Sequence, residues 1–180
     1  MMRFADAACW ESWLAGHHAE DGGAWLLIAR KGSAAPLITI DRAAEVALCY
    51  GWIDGHRRAH DAGAFLQRYS RRRPGSPWSQ VNVARAEALI AAGRMRDPGF
   101  AAIEAARADG RWDAAYAPQR EAPVPAELVA ALAADPAAAA RFGALARTAR
   151  YLLVLPLIKA GTPAARARRL ATIMGGLAGE

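Results

Sequence analysis

Between residues 52 and 82 the sequence gathers most of the side chains that could do chemistry: Trp52, Asp54, His56, Arg68, Trp78, Ser79 and Asn82. On a strand alternate side chains share a face, so Trp52, Asp54 and His56 are expected on one side and Ile53 and Arg57 on the other. An indole, a carboxylate and an imidazole together, with Arg68 opposite, would line a pocket for an anion or small molecule. The competing reading is a buried Asp54–Arg68 ion pair that orders the hairpin, with Trp52 as core, because buried polar groups need partners whatever their function.

Other chemistries find less support in the spacing. Asp54, His56, His60 and Asp61 could ligate a metal only if His-x3-His lay on a helix, and Gly55 and Gly63 argue for strand and turn, so no metal or cofactor is expected. A serine nucleophile would need a nearby base. Ser76 precedes Pro77 and reads as a helix N-cap, which puts Ser79 in the first helical turn. No Gly-x-Ser-x-Gly elbow, Gly-x-Gly-x-x-Gly turn or Walker loop occurs. An enzyme would have to use Asp54 or His56 as general base, and the reading leans against one.

Charge suggests a second kind of contact. The net charge is +6, and 21 of the 23 basic residues are arginines. Residues 54–73 hold six arginines, including Arg71, Arg72 and Arg73, against two aspartates. Residues 141–179 hold seven basic residues and no acidic one, with Arg166, Arg168 and Arg169 at helical spacing. These two sets are the candidate anion or nucleic-acid contacts. No nucleic-acid-binding motif accompanies them, and arginines near helix C-termini also have a plain electrostatic role.

The elements that position these residues follow from periodicity and punctuation. Residues 4–16 read as an amphipathic helix, 24–31 as a buried strand, 37–40 as a short strand ending at an Asp41 N-cap, and 42–50 as a helix closed by Gly51. Two strands from Trp52 and Ala64 flank Asp61-Ala62-Gly63, a hairpin pattern. Ser76-Pro77, Asp97-Pro98, Asp135-Pro136 and Thr162-Pro163 predict helices at 78–92, 98–108, 126–134 and 137–178, the last broken by Pro156 and by 161–163. Strands first and helices later indicate an α+β fold, with a small antiparallel sheet and central hairpin packed on a mainly helical C-terminal half. A length of 180 residues suits one domain, with a sheet-containing part over 1–75 and a helical part over 76–180. Cys9 and Cys49 lie in apolar stretches and read as buried thiols. The apolar run at 151–158 is too short for a membrane span, which needs about 20 residues. With no secretory signal at the start either, a cytoplasmic protein is expected.

Several stretches resemble the YdeI/OmpD-associated, or bacteriocin-protection, family. Ala47-Leu48-Cys49-Tyr50-Gly51-Trp52-Ile53-Asp54-Gly55 is similar to its "EALCFGWIDG" core. Arg73-Pro74 and Ser76-Pro77-Trp78-Ser79 with Asn82 resemble its "R-P, S-x-W-S-x-x-N" segment. Arg166-Ala167-Arg168-Arg169-Leu170 resembles its "TRARRI" tail, although the preceding 161–165 lacks the family's usual Lys, Glu and Thr. The resemblance implies a link to bacteriocin or antimicrobial-peptide protection and carries no reaction with it. The expected function is therefore a non-catalytic stress or resistance protein that binds a small anion or a protein partner, with nucleic-acid binding as the alternative.

Overall fold

The computed structural model describes residues 1–118 and 122–179. It is α+β, and the chain divides into two compact units, Met1–Ala114 and Ala115–Glu180.

In the first unit α1 (Ala7–His17) starts where the Asp6 carboxylate accepts the Cys9 N–H at 2.9 Å, and it buries Trp10 and Leu14. Next come β1 (Ala24–Ala29), α2 (Ile40–Cys49), β2 (Trp52–Ala59), β3 (Ala64–Arg71), α3 (Gln80–Ala91) and α4 (Asp97–Ala108). The sheet order is β1-β3-β2 with both pairings antiparallel, so the expected hairpin supplies its central strand. Trp10 is the hub of the core. It stacks on Trp13 at 5.3 Å, meets Trp52 edge-on at 6.1 Å and lies 6.0 Å from Tyr69. Each such ring removes about 150–250 Å² from water, worth roughly 4–6 kcal/mol at about 25 cal/mol per Å². Backbone satisfies both of these buried indoles: Trp10 Nε1 donates to Ala43 O and Trp52 Nε1 to His18 O. Gly99 lets α4 dock on the end of α2, since a Cβ there would fall 2.3 Å from Cys49 O.

Several expectations need correction. Residues 37–40 do not form a strand. Ile38 exchanges hydrogen bonds with Ala29 and Phe4 and covers the edge of β1 as an extended segment. Consequently α2 begins one residue earlier than Asp41, which sits in its first turn behind Thr39. The helix start after Trp78 belongs to Ser79, whose Oγ accepts from Asn82 N–H at 3.2 Å, while Ser76 Oγ instead accepts from Arg73 N–H. Cys9 is exposed and only Cys49 is buried. Burial pushes the Cys49 thiol up to about 11, which makes it an inert core residue.

The second unit is helical. It contains α5 (Ala126–Ala134), α6 (Pro136–Ala144), α7 (Arg147–Ile158) and α8 (Pro163–Ala178). Asp135 and Thr162 cap α6 and α8 through their side chains, as the Asp-Pro and Thr-Pro pairs predict. Leu128, Phe142, Val154, Leu157, Ile173 and Leu177 build the core with Ala138. Pro156 does not break α7, which runs on to Ile158. The carbonyl it leaves without a helical donor is that of Leu152, an exposed residue where water can serve instead.

Candidate functional site

The β2–β3 hairpin turns on Asp61, whose Oδ1 accepts from the N–H groups of Gly63 and Ala64, both at 2.8 Å. Those two backbone donors hold its carboxyl below the ordinary aspartate range. Pairing then runs Ala59 with Phe65, Arg58 with Leu66 and Arg57 with Gln67, but resumes at Asp54 with Tyr69. Gly55 and His56 thus face Arg68 alone, a β-bulge. Gln67, buried in mid-strand, staples it: Nε2 donates to Gly55 O at 3.0 Å and His56 O at 3.3 Å, and Oε1 accepts from Arg57 Nε at 3.1 Å. Sequence reasoning missed Gln67. An amide between Phe65 and Tyr69 on the apolar face of a strand was the available signal.

The bulge overturns the expected alternation. Directly paired residues share a face, so Trp52, Asp54 and Arg57 lie on the side of Gln67 and Tyr69, and Arg57 rather than His56 continues that face. Arg68 pairs with Trp25 on the opposite side of the sheet. Trp52 is core, whereas Asp54 and His56 are exposed. No Asp54–Arg68 ion pair forms among the described residues; Arg68 Nη2 instead donates to Gly22 O at 3.1 Å. Trp78 is buried, edge-on to Trp112 at 4.8 Å, with the Arg72 guanidinium 3.7 Å above its ring. Ser79 and Asn82 form the α3 cap. The seven residues from Trp52 to Asn82 are therefore distributed over core, edge strand, central strand and helix cap rather than around one hollow.

What the structure does gather is arginine. A recess of about 220 Å³ is lined by Arg68, Arg71, Arg72 and Arg73 with Ser70, and Asp21 is its one acidic wall. Arg71 Nη1 donates to Ala19 O and Arg72 Nη1 to Pro77 O. Arg71 and Arg73 are exposed, while Arg72 turns inward onto Trp78, so the triplet does not act as one contact. Among the described residues Arg68, Arg71 and Arg73 form no ion pair. Guanidiniums held by neutral carbonyls keep their charge for an anion, which they can grip bidentately.

A second recess, about 450 Å³, opens at the other end of the hairpin between Arg30, Lys31, Arg57, Arg58 and Phe65. Arg30, Lys31 and Phe65 were not among the sequence candidates, because only the β1–β3 register brings residue 30 beside Gly63. In the second unit Arg166 pairs with Glu127, while Arg168 and Arg169 are exposed on α8.

Among the described residues no three His, Cys, Asp or Glu side chains gather as a metal site, and no helix is long and apolar enough to cross a membrane. Residues 2–102 match the model of a family described as Domain of unknown function (DUF8412), and residues 121–179 match that described as Bacteriocin-protection, YdeI or OmpD-Associated. No curated protein and no solved structure matches the chain. The motifs at 51–55 and 78–82 fall in the first match and the arginine tail at 166–170 in the second. With the first match spanning more than half of its length, the chain belongs to the family of Domain of unknown function (DUF8412), and its second unit carries the YdeI or OmpD-Associated domain that the resemblance implied.

Proposed function

We propose that this protein is a non-catalytic binder of small oxyanions, such as phosphates or carboxylates, which it holds in the recess beside Arg68, Arg71 and Arg73. The carrying observation is that these guanidiniums border one hollow and none is paired with a carboxylate among the described residues. Asp54 and His56, the general-base candidates, stand exposed on a bulged edge strand, which favours binding over catalysis. The description of the family matched by residues 121–179 supports a role in protection against bacteriocins or antimicrobial peptides, exercised in the cytoplasm as the sequence reading expects.

Thermal denaturation with added phosphate, pyrophosphate or citrate tests the site. A ligand present at about 100 times its Kd stabilises the native state by about 2.7 kcal/mol, so a saturable rise in Tm is expected. Arg71→Gln with Arg73→Gln should abolish that rise while leaving the unliganded Tm nearly unchanged, since both side chains are exposed. No rise with any of the three anions, or an equal rise in the double variant, would remove the proposal.

A further inference from the structure

We infer that the sheet face carrying Trp25, Arg58 and Arg68 is a binding track for single-stranded nucleic acid, running from the hairpin tip to the arginine recess. It shares Arg68 with the oxyanion site proposed above and otherwise uses different residues.

Three observations converge. The first is continuity. Arg58 lies opposite Leu66 and Trp25 opposite Arg68, so all four share one face, and the Arg58 guanidinium sits 4.4 Å over the Trp25 ring. Arg58 also lines the tip recess, with Arg30, Lys31 and Arg57, and Arg68 lines the other. On this face the central strand runs from Leu66, opposite Arg58, to Ser70 at the rim of the arginine recess, and at about 3.3 Å per residue that is a path of about 13 Å. A single small anion cannot use positive charge spread over that length, but a chain of phosphates can.

The second is how the charges are held. At the tip recess, where the track begins, Arg58 is joined by residues of the Phe65 side of the sheet: Arg57 lies 4.3 Å over Phe65 with its Nε on Gln67, and Arg30 lies 5.9 Å from the same ring with its Nε on Asp61 O. Among the described residues none of Arg30, Arg57, Arg58 and Arg68 is in an ion pair. The nearby Asp61 carboxylate commits Oδ1 to the backbone of the hairpin, and its Oδ2 lies 3.6 Å from His60 Nε2. Aromatic faces and neutral acceptors fix these guanidiniums without neutralising them, and binding phosphates there displaces condensed counterions from the nucleic acid.

The third is shape. A guanidinium set over an indole, and itself exposed, offers a planar group on which an unpaired base stacks. The face is part of a sheet with no helix projecting from it to enter a duplex groove. It is not a membrane-docking face, because none of the exposed large apolar side chains, such as Phe100 and Leu152, lies on β1, β2 or β3.

Fluorescence anisotropy tests the track with labelled oligothymidylate, oligouridylate, a duplex of equal length and inorganic polyphosphate. Binding of the single strands is expected to be tighter than that of duplex or polyphosphate, with log K falling against log salt by about 0.7 per phosphate neutralised. Arg57→Ser with Arg58→Ser should weaken single-strand binding about tenfold or more and lower that slope by roughly 1.4, two contacts' worth. The same variant should keep the Tm rise with phosphate, which separates this track from the oxyanion site. Arg58→Lys, which keeps the charge and loses the stacking plane, should weaken single strands and spare polyphosphate. No binding of any oligonucleotide at about 20 mM salt, polyphosphate binding as tightly as the single strands, or unchanged affinity in the folded double variant would each overturn the inference.

Discussion

The hairpin and the second unit use the same residue type in opposite ways. In the hairpin, Arg57 and Arg58 rest on the rings of Phe65 and Trp25, and Arg68 and Arg71 reach backbone carbonyls of 19–22. In the second unit Arg166 is matched to Glu127, Arg141 donates to Leu177 O near the C-terminus of α8, and Arg150 donates to Leu145 O. There guanidiniums close helix ends and offset a carboxylate. In the hairpin they stay available to something outside the chain. Counting cations along the sequence ranks the two regions alike; what holds each cation separates them.

The contrast is most exposed at Trp78, the ring beneath buried Arg72. Trp78→Ala should destabilise the protein by about 3–5 kcal/mol, read as a lowered denaturant midpoint, because it opens a cavity beside Trp112 and strips the guanidinium of its aromatic floor. A loss below about 1 kcal/mol would mean the ring is not what supports Arg72.

Arginines held by carboxylates should instead answer to pH. Hydrogen bonding from Arg94 lowers the Glu45 pKa, with Arg42 assisting. Since the folded value lies below the unfolded one, the stabilisation is complete above the ordinary glutamate range and fades as pH falls through the folded value. Glu45→Gln should therefore cost about 1 kcal/mol at neutral pH and nothing in acid, followed by Tm across the acid range. A cost independent of pH would assign the loss to packing. The smallest effect is expected in the second unit. A double-mutant cycle on Glu127 and Arg166 should give a coupling of about 0.5 kcal/mol that added salt suppresses, since both side chains are about one-third exposed. A larger, salt-resistant coupling would place this arginine closer to the hairpin's kind.

Much of the frame was legible in the sequence. Asp135-Pro136 and Thr162-Pro163 marked helix starts because a short side-chain acceptor and a missing N–H both suit that position. Asp61 and Gly63 marked the hairpin turn. What escaped were matters decided by partners distant in sequence. Strict alternation from Trp52 could not anticipate a bulge that depends on Gln67 eleven or twelve residues later. Residues 37–40 have the composition of a strand, yet their hydrogen bonds go to Phe4 and Ala29 in the gap beside β1. Ser76 looked like the better cap, but Arg73 N–H claims its hydroxyl. The recess at Arg30 and Lys31 needed the β1–β3 register, which no local pattern encodes.

The bulge at Gly55 and His56 divides the hairpin into a root and a tip with separate obligations. Trp52 and Tyr69 at the root are tied to the Trp10 cluster, and change there is paid in the folding of the whole unit. Beyond Gly55 every residue of β2 is exposed. A lineage can therefore redraw the tip's charge, residue by residue, while the foundation stays intact.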